Sequence, residues 1–332
     1  MVGGQPATEF PPTQALPWEA GTTPLMLAPM QGITNRALRS LYIERVRPEV
    51  VFTEFMRIAR DSRQVLTASD RAEAAAGCSV PLVVQLIGPA SDNLVAAARA
   101  AQEQGARHLN LNMGCPFGRL SSSLSGGGML KAPEVLPKLL KDLRQAVCGS
   151  FSVKLRAGFS DPRQVFELLP LFEGEGVDFL ILHPRTVAQK YQGRADHRLT
   201  AELVQATALP VIANGDITTA AEGLQVLEQT GAAGLMLGRG GIADPWLFER
   251  LRGRAPAQPT TEQRLQELSV FLGELHRRYA AIFCGDTQIL YKLKEVLAFT
   301  GADPALKEPV ARLRRAKSLE AFLHLTADLP RD

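Results

Sequence analysis

The chain has 332 residues, 45% hydrophobic and 21% charged, with a net charge of +3. That is ordinary globular composition, and no apolar run approaches the roughly 18 residues of a membrane span. The four cysteines, Cys78, Cys115, Cys148 and Cys284, stand far apart with no Cys-x-x-Cys pair, which argues against a metal site and a disulfide framework.

Residues 1–24 carry Pro and Gly but no basic stretch followed by an apolar one. They read as a short leader rather than a signal peptide, and a cytoplasmic protein is expected. Eight short apolar runs follow: "LMLAPM" from Leu25, "VVFTEF" from Val50, "LVVQLIG" from Leu82, "HLNLNMG" from His108, "SVKLRAG" from Ser152, "FLILHPR" from Phe179, "VIANGD" from Val211 and "GLMLGRG" from Gly234. Such near-continuous apolar runs are typical of parallel strands buried on both faces. Helical patterns separate them, such as "DNLVAAARAAQEQGA" before Gly105 and "TTAAEGLQVLEQTGA" around Gly231. Eight strand-then-helix units over residues 25–250 predict an α/β protein of (β/α)8 TIM-barrel type. A doubly wound sheet is the alternative, but no Gly-x-Gly-x-x-Gly follows the first strand.

After Trp246 the pattern changes. "RGRAPAQPTTEQ" reads as a linker, and only helical runs follow, so a small all-helical C-terminal domain is expected over residues 258–332. From Arg250 to Lys317 there are 13 Lys/Arg against 7 Asp/Glu. This imbalance suggests either a surface that faces a polyanion or simply solvated helix faces.

Polar side chains cluster near the same end of successive strands. Glu54, Gln85, Asn110, Asn112, Lys154, Arg156, His183, Arg185, Asn214 and Arg239 all fall there. Burying such groups unpaired costs about 1–3 kcal/mol each, so a polar ligand at the barrel mouth is the economical inference. Gly215, Gly238, Gly240 and Gly241, after the last two strands, suit close backbone approach to a phosphate. A flat hydrogen-bonding ligand with one phosphate suggests FMN.

The motifs "LAPMQGIT", "VQLIG", "LNMGCP", "SGGGMLKAP", "SVKLRAGF", "LHPRT…YQGRADH", "VIANGD" and "GLMLGRGGIADPWLF" occur in an order that resembles the tRNA-dihydrouridine synthases. "TEFMR" and "SGGGMLK" look most like the bacterial C subclass. The resemblance implies FMN as cofactor, NADPH as reductant and tRNA as partner. Pro29, Met30, Gln31, Gln85, Lys154 and His183 match flavin contacts. Asn214, Gly215, Asp216, Gly238 and Arg239 match the phosphate end. Cys115 matches a proton donor, Asn112 and Arg185 match residues that hold the target uracil, and Arg57 matches a tRNA contact of the subclass. The basic tail matches a tRNA-binding domain, with Arg277, Lys292, Lys294, Arg312 and Arg315 as candidate phosphate contacts. Position 16 of the D-loop is the uridine that the C subclass implies. The family commonly has Gly and Trp where this chain has Pro184 and His197.

The chemistry suits the residues. Saturating the C5–C6 bond of uracil needs a hydride at C6 and a proton at C5. A thiol with an ordinary pKa near 8.5 stays protonated at pH 7 and can serve as the acid. An FMN barrel acting on a free pyrimidine or enone, and a non-catalytic RNA-binding barrel, are the competing readings. A monomer without metal is expected.

Overall fold

The computed structural model describes residues 16–117, 124–301 and 303–329. Most of the expected leader therefore lies outside the described residues. Eight parallel strands close into a barrel: β1 (Leu25–Leu27), β2 (Val50–Phe52), β4 (Leu82–Ile87), β5 (His108–Met113), β6 (Ser150–Arg156), β7 (Phe179–His183), β8 (Val211–Asn214) and β9 (Gly234–Leu237). β2 pairs with both β1 and β4, which closes the ring. A further two-residue strand, β3 (Met56–Arg57), extends β4 at its C-terminal end through Met56 opposite Leu86. The chain is thus an α/β protein of the TIM-barrel type, with all eight expected runs in their expected places.

Helices α1 (Arg36–Arg45), α2 (Ala68–Ala74), α3 (Asp92–Glu103), α4 (Leu136–Ala146), α5 (Gln164–Gly174), α6 (His197–Ala206) and α7 (Ala220–Thr230) surround the barrel. After β9 come the short α8 (Arg239–Ala243) and α9 (Leu247–Leu251). Local chemistry sets several ends. Thr67 with Asp70 and Thr219 with Glu222 form capping boxes at the starts of α2 and α7, each satisfying two otherwise orphaned backbone donors. Gly231 stops α7 in the left-handed conformation, φ 64°, at little steric cost.

Strand alternation divides the interior. Leu109, Leu111 and Met113 of β5 join the core beneath the surrounding helices. Their neighbours Asn110 and Asn112 bond to Ser152 and Gln85 on the two adjacent strands, along the inner wall of the barrel. The opposite sector is apolar: Met26, Phe52, Phe179, Ile181 and Met236 pack together, with Trp18 set edge-on to Phe179 at 4.9 Å. The interior is therefore amide-lined on one side and hydrocarbon-lined on the other.

Helices α10 (Thr261–Ala280), α11 (Asp286–Thr300), α12 (Lys307–Arg315) and α13 (Leu319–Asp328) follow. They share one continuous apolar core with α1 and the β9 side of the barrel. Tyr42 of α1 lies edge-on to Phe248 and Phe271, and its hydroxyl donates to the Gly241 carbonyl at 2.6 Å. Beside this core, Asp244 accepts from Arg250 at 2.8 Å and from Arg264 at 2.7 Å. These two tail arginines are buried and hold the helices to the barrel, so the excess of tail cations overstates what faces solvent.

Candidate active site

At the C-terminal strand ends lies a cavity of about 820 Å³. Pro29, Met30, Lys154, His183, Asn214, Gly215, Asp216, Gly238 and Arg239 all line it. They come from five strand ends and meet there because each is placed by the two-residue period of its strand or by the loop just beyond. Gln85 sits deeper in the barrel and Gln31 is exposed; neither lines the cavity. A larger cavity, 1310 Å³, opens at the other end of the barrel around Trp18, Arg107 and Ser150. It contains none of the predicted site residues, and in barrels that face contributes to stability rather than catalysis.

Lys154 is the cationic centre. Burial first, and then the charge of Arg156, drive its pKa down to about 8, with Cys115 partly opposing them. Arg156 is itself buried and donates to the carbonyls of Gly114 and Thr186, each at 2.9 Å. It thereby ties the Cys115 turn to the loop after β7. His183 is held neutral by burial and by the surrounding cations, Lys154 first among them.

Arg185 has five N–H donors, and the protein accepts all five. Nε donates to Gln192, Nη1 to His183 Nε2 and to Asp216, and Nη2 to Gly193 and to Asp216. Because guanidinium never gives up its proton, His183 Nε2 must be the acceptor and Nδ1 must carry the ring hydrogen. Asp216 stands in the left-handed region at φ 50°. Burial raises its pKa, but the Arg185 and Ala195 hydrogen bonds and the charges of Arg185 and Arg239 outweigh that and hold it low.

Three contributors were given no place in the site from the sequence. Tyr191 lies between two guanidinium groups, with Arg239 at 4.6 Å and Arg156 at 5.3 Å from its ring, and His183 beyond. Arg156 was noted only as a strand-end cation. His197 Nε2 bonds the Gly215 carbonyl at 2.9 Å and so braces the backbone at the cavity edge. An aromatic in a polar loop, as in "KYQGR", was the available signal for Tyr191.

The remaining predicted residues lie elsewhere. Cys115 is half-buried beyond β5, with its carbonyl accepting from Gly127 at 3.1 Å. Asn112 is buried beneath it. Arg57 is exposed on β3. Lys292 donates to the Gly32 carbonyl at 3.2 Å and pairs with Glu295 at 2.7 Å. Lys294 donates to the Ala316 carbonyl. Arg277 on α10 and Arg315 on α12 stay exposed, paired with Glu274 and Glu308; Arg312 lies on α12 with Arg315. Among the described residues, no cluster of His, Cys, Asp and Glu is suited to a metal ion, and no helix is long and apolar enough to cross a membrane.

Fold and site together define a TIM-barrel enzyme whose catalytic face holds a buried lysine, a thiol and a glycine-edged polar cavity. A family model described as "Dihydrouridine synthase (Dus)" matches residues 26–304. The chain belongs to the dihydrouridine synthase family, and is an oxidoreductase. It is similar to a probable tRNA-dihydrouridine synthase of Rhodobacter capsulatus, 35% identical over 233 residues that cover 69% of this chain and 70% of that protein. It is also similar to tRNA-dihydrouridine synthase B of Pseudomonas aeruginosa, 32% identical, covering 75% and 79%. A probable tRNA-dihydrouridine synthase 1 of Synechocystis is 30% identical, covering 86% of each chain.

Proposed function

We propose that this chain is a cytoplasmic, monomeric tRNA-dihydrouridine synthase that holds FMN, takes reducing equivalents from NADPH, and reduces a D-loop uridine, position 16, to dihydrouridine. The observation that carries this reading is the largely buried Lys154 ammonium beside Cys115, at the edge of a cavity whose far side is glycine. The residues fit a flavin phosphate. At Gly238 a Cβ would meet nothing within 4 Å except Ala28 at 3.6 Å and Met30 at 3.8 Å, which leaves backbone open to the cavity, and Arg239 supplies a half-exposed cation. Pro29, Met30, Asn214, Gly215 and Asp216 complete that wall, with Gln31 and Gln85 nearby.

When bound, FMN supplies hydride from N5 to C6 of the uracil. Lys154 offsets negative charge at the buried ring end. His183, neutral and with its hydrogen on Nδ1, is a hydrogen-bond donor there rather than an acid. Cys115 delivers the proton to C5 as a thiol. Asn112 lies at the place of the uracil, and Arg185, its donors all taken by protein, shapes that place by fixing His183 and Asp216. The base must leave its stack to reach this mouth, and a flexible RNA loop makes that cheap. Arg57, Arg277, Lys292, Lys294, Arg312 and Arg315 form the basic approach for the tRNA backbone, carried by β3 and by the helices over residues 258–332.

Position 16 rests on the "TEFMR" segment that carries Arg57. The test is dihydrouridine mapping in tRNA from a strain lacking this chain, together with the visible spectrum of the purified protein. Loss at position 16 and a flavin spectrum are expected. Loss at another position overturns the subclass; a colourless protein overturns the flavin reading; unchanged tRNA with reduction of a free pyrimidine or enone overturns the substrate.

A further inference from the structure

Beneath Cys115 runs a chain of buried amides that touches the thiol only through backbone. Asn112 Oδ1 accepts from the N–H groups of Gly114 and Cys115, each at 3.0 Å. Asn112 Nδ2 donates to Gln85 Oε1 at 2.9 Å. Gln85 Nε2 donates to Asn110 Oδ1 at 2.8 Å, and Asn110 Nδ2 donates to Ser152 Oγ at 2.8 Å. Ser152 Oγ in turn donates to the Leu109 carbonyl at 3.3 Å. Gln85, Asn110 and Ser152 are buried, and Asn112 is 8% exposed.

The direction of this chain is set from both ends. Backbone N–H groups can only donate, so Asn112 must present its oxygen to the Cys115 turn. That leaves its NH2 for Gln85, which must answer with oxygen. Gln85 then presents its NH2 to Asn110, and Asn110 presents its own to Ser152. At the far end the Leu109 carbonyl can only accept, which agrees. No amide can turn over alone without opposing two donors or two acceptors in a buried site, at about 1–3 kcal/mol for each group left unpaired.

We propose that Asn112, Gln85, Asn110 and Ser152 form a one-way hydrogen-bond chain that positions Cys115, with Asn112 as its terminal positioning residue and Gln85 as the link that fixes Asn112. The proposal deepens the reading of Cys115 as proton donor and rests on it. Asn112 and Gln85 have all their amide hydrogen-bond directions toward Cys115 and one another set by the protein itself. They hold the turn ready before any ligand arrives, and the proton donor is thereby pre-aimed.

The test measures alkylation of Cys115 by iodoacetamide in the full chain, followed by mass spectrometry of its peptide, as a ratio to wild type at each pH. Cys78, Cys148 and Cys284, all exposed, are the internal controls. Gln85→Leu does not touch the thiol, yet is expected to change the Cys115 rate by about tenfold, as members of one network couple, with the controls unchanged. Gln85→Glu is expected to restore the ratio to near one at low pH. A neutral buried carboxylic acid accepts from Asn112 and donates to Asn110, whereas its ionised form has no donor. The rescue should therefore fade as pH rises. Should Gln85→Leu fold poorly by thermal melting, Ser152→Ala at the far end is expected to shift Cys115 alone in the same direction. A folded Gln85→Leu or Ser152→Ala with wild-type Cys115 alkylation overturns the chain, as does a pH-independent Gln85→Glu. Wild-type dihydrouridine formation by Cys115→Ala would instead overturn the proton-donor reading and leave the alkylation result standing.

Discussion

Arg185 grips both carboxylate oxygens of Asp216, Nη1 to Oδ1 at 3.0 Å and Nη2 to Oδ2 at 2.5 Å. The two residues belong to successive strand ends, and the fork joins the loop after β7 to the loop after β8. Through Nη1 the same guanidinium also fixes the His183 ring.

Replacing Arg185 by Lys removes the two-pronged geometry that a carboxylate matches. Lysine offers three donors in place of five, so the five contacts to Gln192, His183, Gly193 and Asp216 cannot all be kept. The charge is kept, so the variant is expected to lose only the unmade hydrogen bonds, about 1–3 kcal/mol. Urea unfolding of the two proteins measures it, and equal midpoints with equal slopes would remove the clamp from the account.

Cys115→Ala tests the acid. The variant is expected to make dihydrouridine about 10²–10⁴ times more slowly, the usual contribution of a positioned acid. On the proposed function, reduction of the flavin by NADPH should continue at the wild-type rate. Mass spectrometry of the tRNA and stopped-flow absorbance read the two halves separately.

Lys154→Met tests the buried ammonium on the protein without cofactor. The folded pKa, about 8, lies below the usual 10.5. Between these values the unfolded chain binds the extra proton, so stability rises with pH there. The cost of the charge is complete below pH 8 and gone above 10.5. The methionine variant is therefore expected to be more stable than wild type at pH 7, by on the order of 2 kcal/mol. The gap should close as pH approaches 10. A pH-independent difference in melting temperature would contradict the assignment.

Asp244→Ala removes one of the two carboxylates that the buried Arg250 and Arg264 share, leaving them Glu267. A loss of about 1–3 kcal/mol is expected, with hydrogen exchange rising first in α10, because Arg264 anchors that helix to the barrel. Uniform exchange across barrel and tail would mean that the apolar core alone docks the helices.

Arg277→Gln and Arg315→Gln probe the exposed tail cations. Each is expected to weaken tRNA binding and to reduce the slope of log affinity against log salt by about one. Unchanged slopes would place the RNA on another face.

The eight strands were legible because burial on both faces makes each a run of Leu, Ile and Val, and β3 was not because two residues carry no period. The inward placement of Gln85, Asn110, Asn112, Lys154 and His183 was legible too, since alternation along a strand is a local property. Tyr191 and His197 were harder to read, because loop residues have no period from which to infer a direction.

The sequence by itself determined the barrel, the polar mouth and the thiol beyond β5, since these follow from neighbours along the chain. Only the tertiary structure decided which polar groups answer one another. Arg185 was free on paper to meet a substrate, and in the fold its five donors are all met by protein. Arg250 and Arg264 counted as surface charge, and in the fold they are buried on Asp244. Partners of that kind are set by strand register and helix packing between residues far apart in sequence, and composition holds no record of either.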